Sequence, residues 1–243
     1  MSNPLLNDRF AENVGIIEGE VMTINGTINK TLLMLFMLVI SASYTWMLTL
    51  QGFVDKAQML GYAGAFVALV SIIAMYFTKK ASGIWAVIYS VAEGFFLGYL
   101  SVFFESLYAG IVPQAIAGTF AAMFSMLALY RTGVIKCTDK FRAVIFTAMM
   151  SVFLIYLIQI VASFFGRSIP QIFTASPIGI GFSAVVVLIA SFGFIMDFDF
   201  IEKASQRMAP KYFEWMGAIG LMTSIVWLYV EILNLLLKIN SRN

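Results

Sequence analysis

Apolar residues fall into seven long blocks along this chain, at about 32–50, 60–78, 84–104, 111–130, 142–164, 178–201 and 214–237, with short polar connections between them. Each block approaches the roughly 20 residues that a helix rising about 1.5 Å per residue needs to cross a hydrocarbon core. The pattern predicts an all-α polytopic membrane protein with seven transmembrane helices. No polar block is long enough to build a soluble domain, and the short connections make neighbouring spans pack antiparallel in one bundle. Residues 1–31 read as a polar N-terminal tail, 32–238 as the transmembrane domain and 239–243 as a short C-terminal tail. The first long apolar run begins only at Leu32, so no secretory signal is expected at the start.

The seventh block is not apolar on every side. Thr223, Trp227, Glu231, Asn234 and Lys238 recur every three or four residues, which stacks them on one helical face. A helix facing lipid all round would not carry such a stripe. An ionisable group in the hydrocarbon layer is costly, so intramembrane acids usually face a bundle interior or a wet cavity and are functional-site candidates. The stripe therefore predicts an internal helix with Glu231 as its chemically loaded residue, against the plainer reading of a hydrogen-bonded packing residue.

Two further spans carry acids. Glu93 lies near the middle of the third, beside a stripe of Ser90, Gly94, Gly98 and Ser101 whose small side chains allow close backbone approach. Glu93 reads either as a neutral hydrogen-bond donor to a neighbouring helix or as part of a proton or cation pathway. The sixth span ends in Asp197-Phe-Asp199-Phe-Ile-Glu202. Asp197 continues the small-residue series Gly179, Ser183, Val186, Ala190 and Gly193, whereas Asp199 continues the bulky series Leu188, Phe192 and Ile195. Asp197 is therefore expected to point into the bundle, with Asp199 and Glu202 at a solvated helix end; Asp199 and Asn234 stand as secondary candidates. The run lacks the glycine and ligand spacing of an EF-hand loop.

Composition narrows the chemistry. The chain is 61% hydrophobic and 12% charged over 243 residues, with a net charge of +2 and no histidine. No mechanism that needs a histidine base or ligand is available, so any pH response must come from carboxylates. Cys137 is the only cysteine, which excludes an intramolecular disulfide and a cysteine metal cluster. No basic face is interleaved with aromatics, so nucleic acid is not an expected partner. Arg9, Lys30, Lys79, Lys80, Arg131, Lys136, Lys140, Arg142, Lys203, Arg207 and Lys211 lie on one side of the predicted bundle, against Lys56, Arg167, Lys238 and Arg242 on the other. Eleven against four places the N-terminus in the cytosol and, with seven spans, the C-terminus outside. Asn25 and Asn29 fit the glycosylation pattern but lie on the cytosolic side, so neither is expected to be modified.

Several strings together carry a resemblance: Asn3-Pro4 near the start, MTINGTINKT before the first span, AEGFFLGYLS in the third and YAGIVPQAIAGTF entering the fourth. DFDFIE ending the sixth and EWMGAIGL with VWLYVEILNLL in the seventh complete the series. In order and spacing they resemble the Bax inhibitor-1/YccA-like membrane family, in its bacterial branch, over nearly the whole chain. The resemblance implies seven helices with the last enclosed by the other six, in a bacterial inner membrane. It also implies a pH-sensitive pair of acids associated with a calcium leak. Met196-Asp197 matches the first acid's pattern and Leu228-Tyr229-Val230-Glu231 the second. The second acid is Glu here, and the interval between the two is about ten residues longer than in the better-studied branch.

Two functions follow as expectations. One is a cation leak or sensor in which Asp197, Glu231 and Glu93 line the pathway, with calcium as a permeant or transiently bound ion and no cofactor. Like charges held close cannot both ionise cheaply, so a contacting Asp197–Glu231 pair would share a proton and titrate as one unit. The other is a non-transporting membrane protein that modulates a membrane-bound protease or a stress response through its tail. An enzyme is not expected, since the Gly-x-Gly-Asp pattern of intramembrane aspartyl proteases is missing as well.

Overall fold

In the computed structural model, residues 20–78, 82–166 and 170–242 are described. The tail to residue 19 and the topology-setting Arg9, Lys79, Lys80 and Arg167 lie outside them. The helices are α1 (Ile24–Leu50), α2 (Val54–Phe77), α3 (Ser82–Leu107), α4 (Ile111–Arg131), α5 (Asp139–Phe164), the single turn α6 (Pro170–Phe173), α7 (Pro177–Gln206) and α8 (Phe213–Asn240). All except α6 are long and apolar enough to cross a membrane. The protein is a seven-helix, multi-pass membrane bundle.

The helices overrun the apolar blocks because polar residues cap them. The Thr23 side chain accepts the Gly26 N–H, so α1 begins eight residues before the apolar run, and its polar first turns were read as tail. Thr138 and Ser176 cap α5 and α7 in the same way, with Pro177 in the first turn of α7. At the α3–α4 corner the Glu105 carboxylate accepts the N–H groups of Gly110 (2.5 Å) and Val112 (3.0 Å), two donors that the start of α4 leaves unpaired. Gly110 supplies the positive φ that this corner needs.

Small residues set the packing. A Cβ on Gly98 would stand 2.8 Å from the Ala42 Cα, and one on Gly94 would overlap Ser41 and Leu38, so α3 lies directly on α1. Gly64 of α2 meets the α3 backbone at Ala92 in the same way. The small-residue stripe of the third span is thus a backbone contact, as its spacing suggested. α8 is the most buried span and α5 the least. α8 packs on α1, α3, α4 and α7; α2 lies outside against α1 and α3, while α5 packs by its backbone only on α7. Four helices, where six were expected, thus meet the α8 backbone; α5 reaches it by side chains, and Thr223 is exposed.

The connection from α7 to α8 closes one end of the bundle. Met208 takes a left-handed turn, and the chain then pairs with residues 20–22. Met22 N–H donates to the Ala209 carbonyl (2.8 Å) and Lys211 N–H to that of Glu20 (3.0 Å). We call this the basic end, since Lys30, Arg142, Lys203 and Lys211 gather there.

Candidate functional site

Glu231 is the most deeply buried of the predicted site residues, at 2% exposure. The Tyr156 hydroxyl, from α5, lies 2.9 Å from both of its carboxylate oxygens, and the Trp227 indole N–H donates from one turn back at 3.0 Å. Tyr156 is itself set against the rings of Phe173 and Phe182. Lys238 is the cation that acts on Glu231 electrostatically, but its ammonium donates elsewhere: to the carbonyls of Ile172 (3.0 Å) and Gly179 (3.3 Å) and to Ser183 Oγ (2.8 Å). Among the described residues, every hydrogen bond to Glu231 thus comes from a neutral donor.

Asp197 does not meet Glu231. It is half-buried and accepts a hydrogen bond from Ser224 at 2.5 Å, with Gly220 beside it. Ser224 stands seven residues before Glu231 on α8, which is about 10 Å along the axis. The reason lies in the connection. α7 continues to Gln206, and the link to α8 is short, so the antiparallel register sets Asp197 against residues 220–224. The expected contact between the two acids, and with it their titration as one unit, is corrected.

Glu93 is half-buried and makes no hydrogen bond with another described residue, so the reading of it as a donor to a neighbouring helix finds no partner. It acts electrostatically on Tyr89, whose phenol lies against Thr223 of α8. Glu93 and Asp197 therefore flank the same turns of α8, from α3 and α7. Asn234, one turn beyond Glu231, makes no hydrogen bond with a described residue and lines a cavity between α5 and α8.

Asp199 departs most from expectation. Instead of a solvated helix end it is buried, at 5% exposure, and it binds Arg142 of α5 at 2.5 Å and Lys203 at 2.8 Å. Glu202, one turn away, accepts the Tyr130 hydroxyl at 2.5 Å. Two cations neutralise this acid and allow its burial, beside the buried Ile195, although Leu188 at the far end of the same series is 55% exposed. The Asp199–Lys203 spacing of four was a legible signal; Arg142, 57 residues away, was not.

Glu214 was missed altogether. It is 1% exposed at the start of α8 and accepts both the N–H and the hydroxyl of Thr23, each at 2.9 Å. It also pairs with Lys30, whose ammonium sits over the Trp215 ring. At the basic end Glu214 and Asp199 are ion-paired, while Glu202 beside them accepts only from Tyr130 and Gln206; deeper in the bundle, Glu93, Asp197 and Glu231 touch no cation among the described residues.

On the other flank of α8, a cleft of about 450 Å³ opens between α1 and α4. It is apolar except for a few hydroxyls, among them the Ser101–Tyr229 pair at 2.7 Å on its floor. Among the described residues no three His, Cys, Asp or Glu side chains gather where they could hold a metal ion.

No curated protein and no solved structure matches the chain. A family model described as Bax inhibitor 1 like matches residues 3–241, nearly the whole length, and the protein is a member of that Bax inhibitor-1-like family.

Proposed function

We propose that this protein is a pH-sensitive cation leak of a bacterial inner membrane, with its N-terminus in the cytosol and calcium as the permeant or transiently bound ion. It works without enzymatic chemistry or a cofactor. The observation that carries this reading is that three acids of the bundle interior have neutral hydrogen-bond partners or none among the described residues. An ion-paired carboxylate is held in its charged form. A carboxyl group whose partners are all neutral changes the charge of its surroundings whenever it gains or loses a proton. Glu231, Asp197 and Glu93 are of the second kind and sit at the helix whose position defines the bundle.

Loss of a proton at Glu231 or Asp197 leaves a charge that neutral donors only partly offset, which favours water and a hard cation beside it. Flux is then expected to rise with pH. The test is calcium entry into liposomes holding only this protein, measured against pH. Glu231→Gln and Asp197→Asn are each expected to flatten the curve. Because the two acids do not touch, the double variant is expected to show the sum of the single effects. Absence of flux at every pH would overturn the reading and leave the non-transporting regulator of a membrane protease in its place.

A further inference from the structure

Between α5 and α8 lies a cavity of about 690 Å³. Phe153, Tyr156 and Gln159 line it from α5, and Trp227, Glu231 and Asn234 from α8. We propose that this cavity binds a lipophilic organic cation taken from the bilayer, with the charge set against Glu231 and the apolar body between the rings of Trp227, Phe153 and Tyr156.

Four observations converge on that ligand. The volume falls within the range of roughly 300–1,000 Å³ that suits a small organic molecule. The lining is aromatic and aliphatic, with only a few polar groups, and so offers contact area to an apolar body. Glu231 is a buried carboxylate without a cation in contact among the described residues, because Lys238 is turned to the carbonyls of Ile172 and Gly179 and to Ser183. Such a charge is stabilised by a positive partner that brings little hydration of its own, and the faces of Trp and Tyr rings attract the same partner. A calcium ion, which seeks six or more oxygens, would meet one carboxylate in this lining and so could pass Glu231 without being held there.

Access follows from how α5 is held. Its backbone packs only on α7, and it is fastened near its two ends by Arg142 to Asp199 and by Tyr156 to Glu231. No helix other than α7 meets the α5 backbone, and Phe153 and Ile160, which line the cavity from α5, are each more than half exposed, so the cavity is open beside this apolar span. A cation that partitions into lipid arrives there without crossing water. Tyr156 then has a stated part: its hydroxyl holds both Glu231 oxygens in the empty cavity and yields one of them to the incoming charge.

The inference rests on the cavity and not on ion flux, so it stands or falls apart from the leak. The test is equilibrium binding of radiolabelled tetraphenylphosphonium to the purified full chain in nanodiscs. The expected result is saturable binding at one site per chain that tetraphenylborate, of the same shape and opposite charge, does not displace. Glu231→Gln is expected to weaken binding at least tenfold, and Trp227→Phe to remove most of the tryptophan quenching that accompanies it. Binding without saturation, equal competition by tetraphenylborate, or full affinity in Glu231→Gln would each overturn the proposal. Should Glu231→Gln not fold, the contrast between the two ions on the unmodified protein decides it.

Discussion

Replacing Glu214 is the sharpest test of what holds the basic end together. Its Oε1 accepts two donors from Thr23 at 2.9 Å, and its Oε2 faces the Lys30 ammonium. A hydrogen bond to a charged group contributes about 1.5–3 kcal/mol, and removal of one partner of a buried pair costs about 3–5 kcal/mol. Lys30 keeps 18% of its side chain exposed and can turn to water, so Glu214→Ala is expected near the lower end, about 3 kcal/mol. Glu214→Gln is a finer probe. Its carbonyl oxygen can keep both Thr23 donors, but its amide then presents N–H groups to an ammonium, and a loss of about 2 kcal/mol is expected. Removing the ammonium removes that conflict: in a Lys30→Met background, Glu and Gln at 214 should differ by less than about 0.5 kcal/mol. The measurement is reversible unfolding in mixed dodecyl sulfate micelles for the four chains of the double-mutant cycle. A coupling between positions 30 and 214 of less than about 0.5 kcal/mol would refute the claim that these two charges hold the end of α8 against α1.

Two other outcomes follow from the same geometry. Gly98→Leu would drive a side chain into the Ala42 backbone, and its loss of folded protein in detergent, by about 3 kcal/mol or more, should far exceed that of Gly181→Leu, where a Cβ meets open space. Burial, and after it the negative charge of Asp199, pushes the Cys137 thiol up from its ordinary value. Since the thiolate is the reactive form, maleimide labelling of this single cysteine is expected to be slow at pH 7 and to accelerate as pH rises toward 9. With an impermeant reagent it should label inverted membrane vesicles and spare right-side-out ones; the reverse would invert the orientation proposed from the basic residues.

The bundle was legible because span length and apolar runs are local properties. Thr23, Thr138 and Ser176 show why the helix ends were less so: caps extended the helices past the apolar blocks, and that shifted the depth assigned to each acid. Asp197 looked close to the end of its span only because α7 was stopped at residue 201. Glu231 was found through a stripe on one helix. Its partner Tyr156 was not, since a tyrosine amid Phe, Leu and Ile reads as packing. Glu214 was invisible for a related reason: its partners Thr23 and Lys30 lie more than 180 residues away, and no local pattern joins them.

The helix that the bundle is built around follows in the chain every helix that it packs against. α1, α2 and α3 pack closely on one another and can associate as soon as they leave the ribosome. α1, α3, α4 and α7 all present surfaces to α8, and Tyr89 and Ser101 of α3 await hydroxyl neighbours that only Thr223 and Tyr229 supply. α5 waits as well, since α7, which its backbone packs on, and α8, which Tyr156 reaches, both follow it. Insertion into the bilayer and completion of the fold are therefore separated in time. A chain released before α8 is a set of inserted helices without an axis, with hydroxyl groups turned toward lipid. The contacts of Glu214 with Thr23 and Lys30 can form only once α8 has been made, so the basic end stays open until then.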